Sequence, residues 1–143
     1  METSEETPAR LRELPSRLIG IASIQAGRIV SEHLADSHRY HYSLLASLEE
    51  FGPHSQSLLS DRTKIYRSDL VATLNELAEK RLVDRTPDPE DKRKNIVSIT
   101  AAGRRHLERM DGRIAAAQEE ILAPLDEAER AELVRLLSKL TGQ

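Results

Sequence analysis

A mainly helical fold carrying one small β-hairpin is what the sequence predicts, and three observations predict it. Aromatic residues are only 3% of the 143 residues and Trp is absent, so the core must be built from Leu, Ile, Val and Ala. With few Gly and Pro to interrupt it, such a composition favours helix. Apolar residues recur at helical spacing along most of the chain. That spacing breaks once: Leu82-Val83-Asp84-Arg85-Thr86 and Asn95-Ile96-Val97-Ser98-Ile99-Thr100 read as two strands, joined by a loop, Pro87–Lys94, with nothing to bury.

Taken in order, Met1–Thr7 is polar and acidic with no apolar period, and no fixed structure is expected there. A long helix starts around Leu14, with Pro15 in its first turn, where a missing N–H costs little. Leu18, Ile21, Ala22, Ile29, Val30 and Leu34 form its apolar stripe, and it ends near Asp36-Ser37. His41–Phe51 is a second helix with Leu44, Leu45 and Leu48 inward. Gly52 can take the left-handed position after it, and Pro53 prevents continuation. Ser55 caps a short helix running to Asp61 that buries Leu58 and Leu59. The turn Thr63-Lys64-Ile65 leads into a helix over Tyr66–Arg81. Its core stripe is Leu70, Leu74 and Leu77, flanked by Val71 and Ala78, while Arg67, Ser68 and Asp69 mark the opposite face near its start.

Beyond the hairpin, Thr100 caps a long helix that runs to about Ala123 and stops at Pro124. Asp126-Glu127-Ala128-Glu129 has the spacing of a capping box and opens a last helix with Leu133, Leu136, Leu137 and Leu140 on one side. The chain reads as one domain, 1–143. Residues 40–103 form a small helix-and-hairpin lobe. The long helices of 10–36 and 104–143 carry apolar stripes that this lobe cannot cover, and pairing with a second copy about a twofold axis would cover them.

Several function classes are excluded. The chain has no Cys, hence no disulfide, no thiolate metal site and no thiol switch. No apolar run reaches membrane-spanning length, and the acidic N-terminus is not a signal peptide, so a cytoplasmic protein is expected. There is no Gly-rich phosphate loop and no Ser-His-Asp set in a recognisable context, so neither an enzyme nor a cofactor is expected. The carboxylate pairs Glu49-Glu50 and Glu119-Glu120 read as solvated helix faces. The formal net charge is −3, but it is unevenly spread. Residues 62–94 hold nine Lys and Arg against seven Asp and Glu, and the remainder twelve against seventeen. A locally basic segment on an acidic body is compatible with nucleic-acid binding.

A helix presented by a short turn, with a basic hairpin beside it, is a device for touching a DNA groove and its backbone. Arg67 can pair bidentately with guanine, Ser68 can reach a base or phosphate, and Asp69 can accept from a cytosine amino group. For Asp69 the competing reading is a partner for the helix dipole. Lys92, Arg93 and Lys94 at the hairpin tip suit phosphates or the minor groove. Set against that is a merely solvated charge run, since Asp88, Glu90 and Asp91 lie beside them. One of these acids pairing with Arg93 would hold the tip in shape. Lys64 and Ser57 are further candidates for phosphate contact. His33, His38 and His41, with Glu32 and Asp36 near, could be a zinc site, since imidazole and carboxylate suit that metal, or simply surface or interface histidines.

The run from Arg67-Ser68 to Arg81-Leu82-Val83-Asp84-Arg85, then Pro87-Asp88-Pro89-Glu90-Asp91-Lys92-Arg93 and Val97-Ser98-Ile99-Thr100-Ala101-Ala102-Gly103, resembles the MarR family of bacterial winged helix-turn-helix regulators. Phe51-Gly52-Pro53-His54-Ser55-Gln56-Ser57 upstream resembles it too. The resemblance spans roughly 42–103. It implies a homodimer of triangular outline on a pseudo-palindromic duplex, with each recognition helix in the major groove and each wing in the adjacent minor groove. It also implies repression of a neighbouring gene, and release of DNA when a small phenolic or acidic ligand binds between the dimer interface and the DNA-binding lobe. On that reading Arg17, His38, His41 and Tyr42 would hold an acidic aromatic effector. The sequence departs from the family at Lys64, where Gly is usual, at Tyr66, where a small capping residue is usual, and at Asp69, where Thr is common. Two alternatives compete: a winged-helix protein-interaction module that does not read DNA, and a zinc-responsive regulator.

Overall fold

The computed structural model describes residues 7–35 and 39–143. In chain order the elements are α1 (Ala9–Arg12), α2 (Pro15–Leu34), α3 (Arg39–Phe51), β1 (His54–Ser55), α4 (Gln56–Thr63), α5 (Arg67–Glu79), β2 (Val83–Pro87), β3 (Asn95–Ile99), α6 (Ala101–Ile121) and α7 (Glu127–Thr141). They fall into two compact units, Leu34–Ala115 and the chain ends, Met1–His33 with Ala116–Gln143.

The Leu34–Ala115 unit has a closed core. Leu44, Leu45 and Leu48 of α3, Leu59 of α4, Leu70, Leu74 and Leu77 of α5, and Val83 and Val97 of the strands are all buried. Dense packing makes each of these leucines worth about 2–5 kcal/mol against alanine. Gly52, at φ 81°, ends α3 in the left-handed conformation that favours glycine. The N–H of Leu58 donates to the Ser55 hydroxyl at 3.2 Å, which caps α4. The hairpin is antiparallel, with Val83 opposite Ile99 and Pro87 opposite Asn95. A third strand, β1, pairs with the other edge of β3 through His54 and Val97, giving the order β1-β3-β2.

The structure departs from the sequence expectations at several points. The strand β1 is two residues long, too short to show alternation, and exists only because β3 offers it an edge. Leu58 is exposed rather than buried. It lies next to Leu59, and on so short a helix adjacent residues point about 100° apart. Val71 is likewise exposed at 42% rather than flanking the core. Helix α3 begins two residues early, at Arg39, and a separate short helix, α1, precedes α2. The expected helix end at Asp36-Ser37 lies outside the described residues; α2 closes at Leu34, and Ala35 takes φ 53°.

In the unit formed by the chain ends, Ala117 is the only buried residue among those described. Two polar links join its helices, and a capping box closes the start of α7. His33 lies 3.3 Å from Glu120, Arg130 is 2.9 Å from Glu119, and the capping box at Asp126 and Glu129 closes in both directions at 2.8 and 3.0 Å. The apolar stripes of α2 and α7 have no cover of their own: Ile24 is 74% exposed and Leu140 70%, with Leu18, Leu136 and Leu137 also exposed. Among the described residues no helix is long and apolar enough to cross a membrane.

Candidate nucleic-acid interface

The Leu34–Ala115 unit presents α5 through a short turn after α4. Lys64 sits there in the left-handed region, φ 61°, and its N–H donates to the Ser60 carbonyl at 3.0 Å. The Ser60 hydroxyl donates to the Ile65 carbonyl at 2.7 Å, which stiffens the turn. A lysine in this conformation carries steric strain that glycine would not. Lys64→Gly is therefore expected to raise stability by about 0.5–1 kcal/mol, less the extra chain entropy of glycine. It should also reduce the salt slope of DNA binding by about one unit, because an exposed charge is lost. A thermal melt and a salt titration on one sample check both. Equal melting of variant and wild type would mean the turn is unstrained.

Tyr66 occupies the N-cap of α5, makes no side-chain capping bond and is 81% exposed. A helix N-terminus without a side-chain cap leaves backbone donors and a positive dipole end for an anion. Arg67, Ser68 and Asp69 follow in the first turn, all exposed, and Asp69 also complements the dipole. One face of α5, through Leu70, Thr73, Leu74 and Leu77, is buried. The other carries Ser68, Val71, Ala72 and Asn75 at helical spacing, all exposed. The helix ends in a paired turn: the Leu82 N–H donates to the Leu77 carbonyl at 2.9 Å and the Arg81 N–H to Ala78 at 3.0 Å, with Arg81 at φ 60°.

The wing tip is ordered by its acids. The Asp88 N–H donates to the Lys94 carbonyl at 2.8 Å, and the Glu90 N–H to the Asp88 carboxylate at 2.9 Å. Arg93 donates to Asp91 three times, from its backbone N–H at 3.1 Å, from Nε at 3.0 Å and from Nη2 at 3.2 Å. The Arg93 guanidinium and N–H hold the Asp91 carboxyl below its ordinary range. Only part of the guanidinium is spent on Asp91, and the side chain is 90% exposed, so donors remain for a phosphate. Lys92 and Lys94 are exposed beside it.

The fold brings these sequence-distant residues together. Ser57 of α4 lines one hollow with Arg93 and Lys94 of the wing, about 170 Å³ in volume. It lines a second with Arg67 of α5. Lys64 and Arg67 border a third with Tyr66. Ser68 and Asp69 lie beside Arg67 on α5, and Lys92 lies at the tip without lining any of these hollows. The sequence reading missed one link. Arg85 of β2 donates through Nη1 to the Asn75 Oδ1 at 2.7 Å, tying wing to recognition helix. Strand alternation would put Arg85 on the same face as buried Val83, yet it is exposed, and nothing local pairs it with a residue ten positions earlier.

The expected effector residues are placed otherwise. The Tyr42 hydroxyl donates to Asp111 at 2.6 Å; that bond, burial and the nearby negative charge push its phenol up to about 12. His41 is buried, with Nε2 2.9 Å from Glu76 of α5. Both are thus engaged in joining α3 to α6 and α5, and neither lines the hollows above. Arg17 belongs to the unit of the chain ends, and His38 lies outside the described residues. His33 is engaged by Glu120, and among the described residues no three His, Asp or Glu side chains converge as a metal would need. On α6, burial lowers the pKa of His106, and the charges of Arg109, His41, Lys80 and Arg113 lower it further.

A helix held by a tight turn, with a basic antiparallel hairpin beside it, defines a winged helix-turn-helix fold. Residues 37–94 match the model of the MarR family. The chain is 31% identical over 102 residues to a candidate transcriptional regulatory protein for the hcr operon of Thauera aromatica, a match covering 71% of this chain and 61% of that one. It is also 31% identical over 96 residues to the HTH-type transcriptional repressor NicR of Pseudomonas putida, covering 67% and 61%. These matches thus span 61% of the length of either relative. A MarR variant from E. coli, crystallised with operator DNA, superposes with a TM-score of 0.81 at 25% identity, over 94% of this chain and 99% of that one. Residues 37–94 are thus similar to the MarR family model, and over 94% of its length the chain shares the fold of a MarR structure.

Proposed function

We propose that this chain is a cytoplasmic, homodimeric repressor that reads a pseudo-palindromic operator and is released from it by a small acidic aromatic ligand. The observation that carries the reading is the gathering of Ser57, Lys64, Arg67, Arg93 and Lys94 around three hollows that share Ser57 or Arg67 in their walls. Side chains from α4, the turn, α5 and the wing are brought there by the packing of their elements, and the ligand that suits such a basic and polar group is a duplex. Ser68 and Asp69 extend the surface along α5, and Lys92 extends it at the tip. Two further facts support the reading: E. coli MarR was crystallised with operator DNA, and NicR is a repressor. Dimerisation follows from the uncovered stripes of α2 and α7.

The test is selection of bound duplexes from a random library, then a salt titration on the winner and competition with aromatic acids. A twofold-symmetric site with a steep salt slope is expected. Arg93→Ala should weaken binding to all sequences and flatten the slope by about one unit, whereas Ser68→Ala should change preference among sequences. Normal binding by Arg93→Ala at physiological salt would remove the wing from the interface. No enrichment of any sequence would overturn the whole reading.

A further inference from the structure

The outer face of α5 is not uniformly polar. Between Ser68 and Asn75 it presents Val71, 42% exposed, and Ala72, also exposed. Val71 is not a stray surface residue. With Leu70 it lines a notch of about 130 Å³ whose remaining walls are Gln56, Ser57 and Arg67. The notch therefore sets one exposed aliphatic side chain, Val71, beside the almost fully buried Leu70, with two neutral polar groups and a guanidinium around them. Its volume is several times that of a methyl group.

We propose that this notch receives the 5-methyl group of a thymine in the major groove, making Val71 a specificity-determining residue; the inference rests on the DNA-binding reading above. Thymine is the one base that offers an apolar group on that edge, and aliphatic side chains are what read it. The charge around the notch fixes the partner as a nucleic acid. Arg67 lines it and can reach a base edge, while Arg93 and Lys94 share the neighbouring hollow through Ser57 and suit the phosphates that flank a base. The spacing adds a second element. Arg67 lies one helical turn before Val71, a rise of about 6 Å. That is roughly two base-pair steps. The guanine that an arginine fork reads should accordingly lie within about two base pairs of the thymine. At the far end of the stripe, Asn75 gives its oxygen to Arg85. Its amide N–H groups are then presented as donors, which suits a purine N7 or O6 acceptor rather than the full adenine edge.

The experiment uses the full chain and the twofold-symmetric duplex that wild type selects from the library. Each thymine is replaced in turn by deoxyuridine, which removes only the methyl group. At one position per half-site, wild type is expected to lose about fourfold in affinity per methyl removed. Val71→Ala should bind the thymine duplex more weakly than wild type and show little or no loss on deoxyuridine substitution at that position, while its melting midpoint stays unchanged because the side chain is exposed. A wild-type protein that binds its selected duplex but is indifferent to deoxyuridine at every position overturns the inference and leaves the DNA-binding reading standing. So does a Val71→Ala variant that keeps the full wild-type sensitivity. Absence of any selected duplex overturns both.

Discussion

Replacing Gly103 by alanine is expected to unfold the reading lobe at temperatures where the wild-type protein is intact. Gly103 is buried in the first turn of α6 against the backbone that leads into β2. A Cβ there would lie 2.1 Å from the Leu82 carbonyl oxygen and 2.8 Å from Ile99 Cγ1. The Leu82 carbonyl cannot swing aside cheaply, because it accepts the Thr100 N–H at 3.1 Å. Thr100 in turn donates its hydroxyl to the Arg81 carbonyl at 2.8 Å and accepts the Gly103 N–H at 2.9 Å. One methyl group therefore strains the joint between the recognition helix, the wing and α6 at once. Overpacking of this kind costs about 3 kcal/mol or more when the obstacle is backbone. For a lobe of this size that is a fall in melting midpoint of more than about 10 °C. Gly112→Ala, also within α6, is the control: nothing lies within 4 Å of its Cβ, and alanine in a helix interior should be neutral or slightly stabilising. If Gly103→Ala melts with wild type, the close approach of α6 to Leu82 is wrong.

The second large effect concerns assembly. Leu137→Glu combined with Leu140→Glu places two carboxylates on the α7 stripe that the chain leaves open. Burying them against a twofold partner would cost far more than the interface can supply. The variant is expected to sediment as a monomer. Its operator affinity should fall roughly 10²–10⁴-fold, because the second half-site loses its tethered reading head. Circular dichroism should still report a folded Leu34–Ala115 unit, whose core these residues do not enter. A variant that remains dimeric would place the subunit contact elsewhere.

Much of the fold is legible in one dimension because its determinants are local. Ser55 and the Asp126–Glu129 box cap the helices they were expected to cap, Gly52 takes the left-handed end of α3, and Leu70, Leu74 and Leu77 are buried. Lys64 illustrates an intermediate case. Its departure from the usual glycine is visible in sequence, but only the backbone shows that it adopts the glycine conformation, at φ 61°. Leu58 and Val71 face outward although their spacing predicts burial, because an apolar residue beside a core stripe can turn either way and only the neighbouring element decides. Arg85 with Asn75, and His41 with Glu76, were not legible as pairs at all. Each joins positions on different elements, and no periodicity couples them.

The sequence by itself determined that this chain is a helical protein with one basic hairpin, that a polar helix start faces outward after a tight turn, and that the terminal helices carry more apolar surface than the chain can cover. Caps, periodicity and charge placement are properties of neighbours along the chain, and sequence records neighbours. Only the tertiary structure decided that Ser57 lines one hollow with Arg67 and another with Arg93 and Lys94, that β1 completes the sheet, and that Val71 stands exposed in a notch beside a guanidinium. Those arrangements depend on the packing of α4, α5 and the hairpin around a shared core, where the position of each side chain is set by residues far away in sequence.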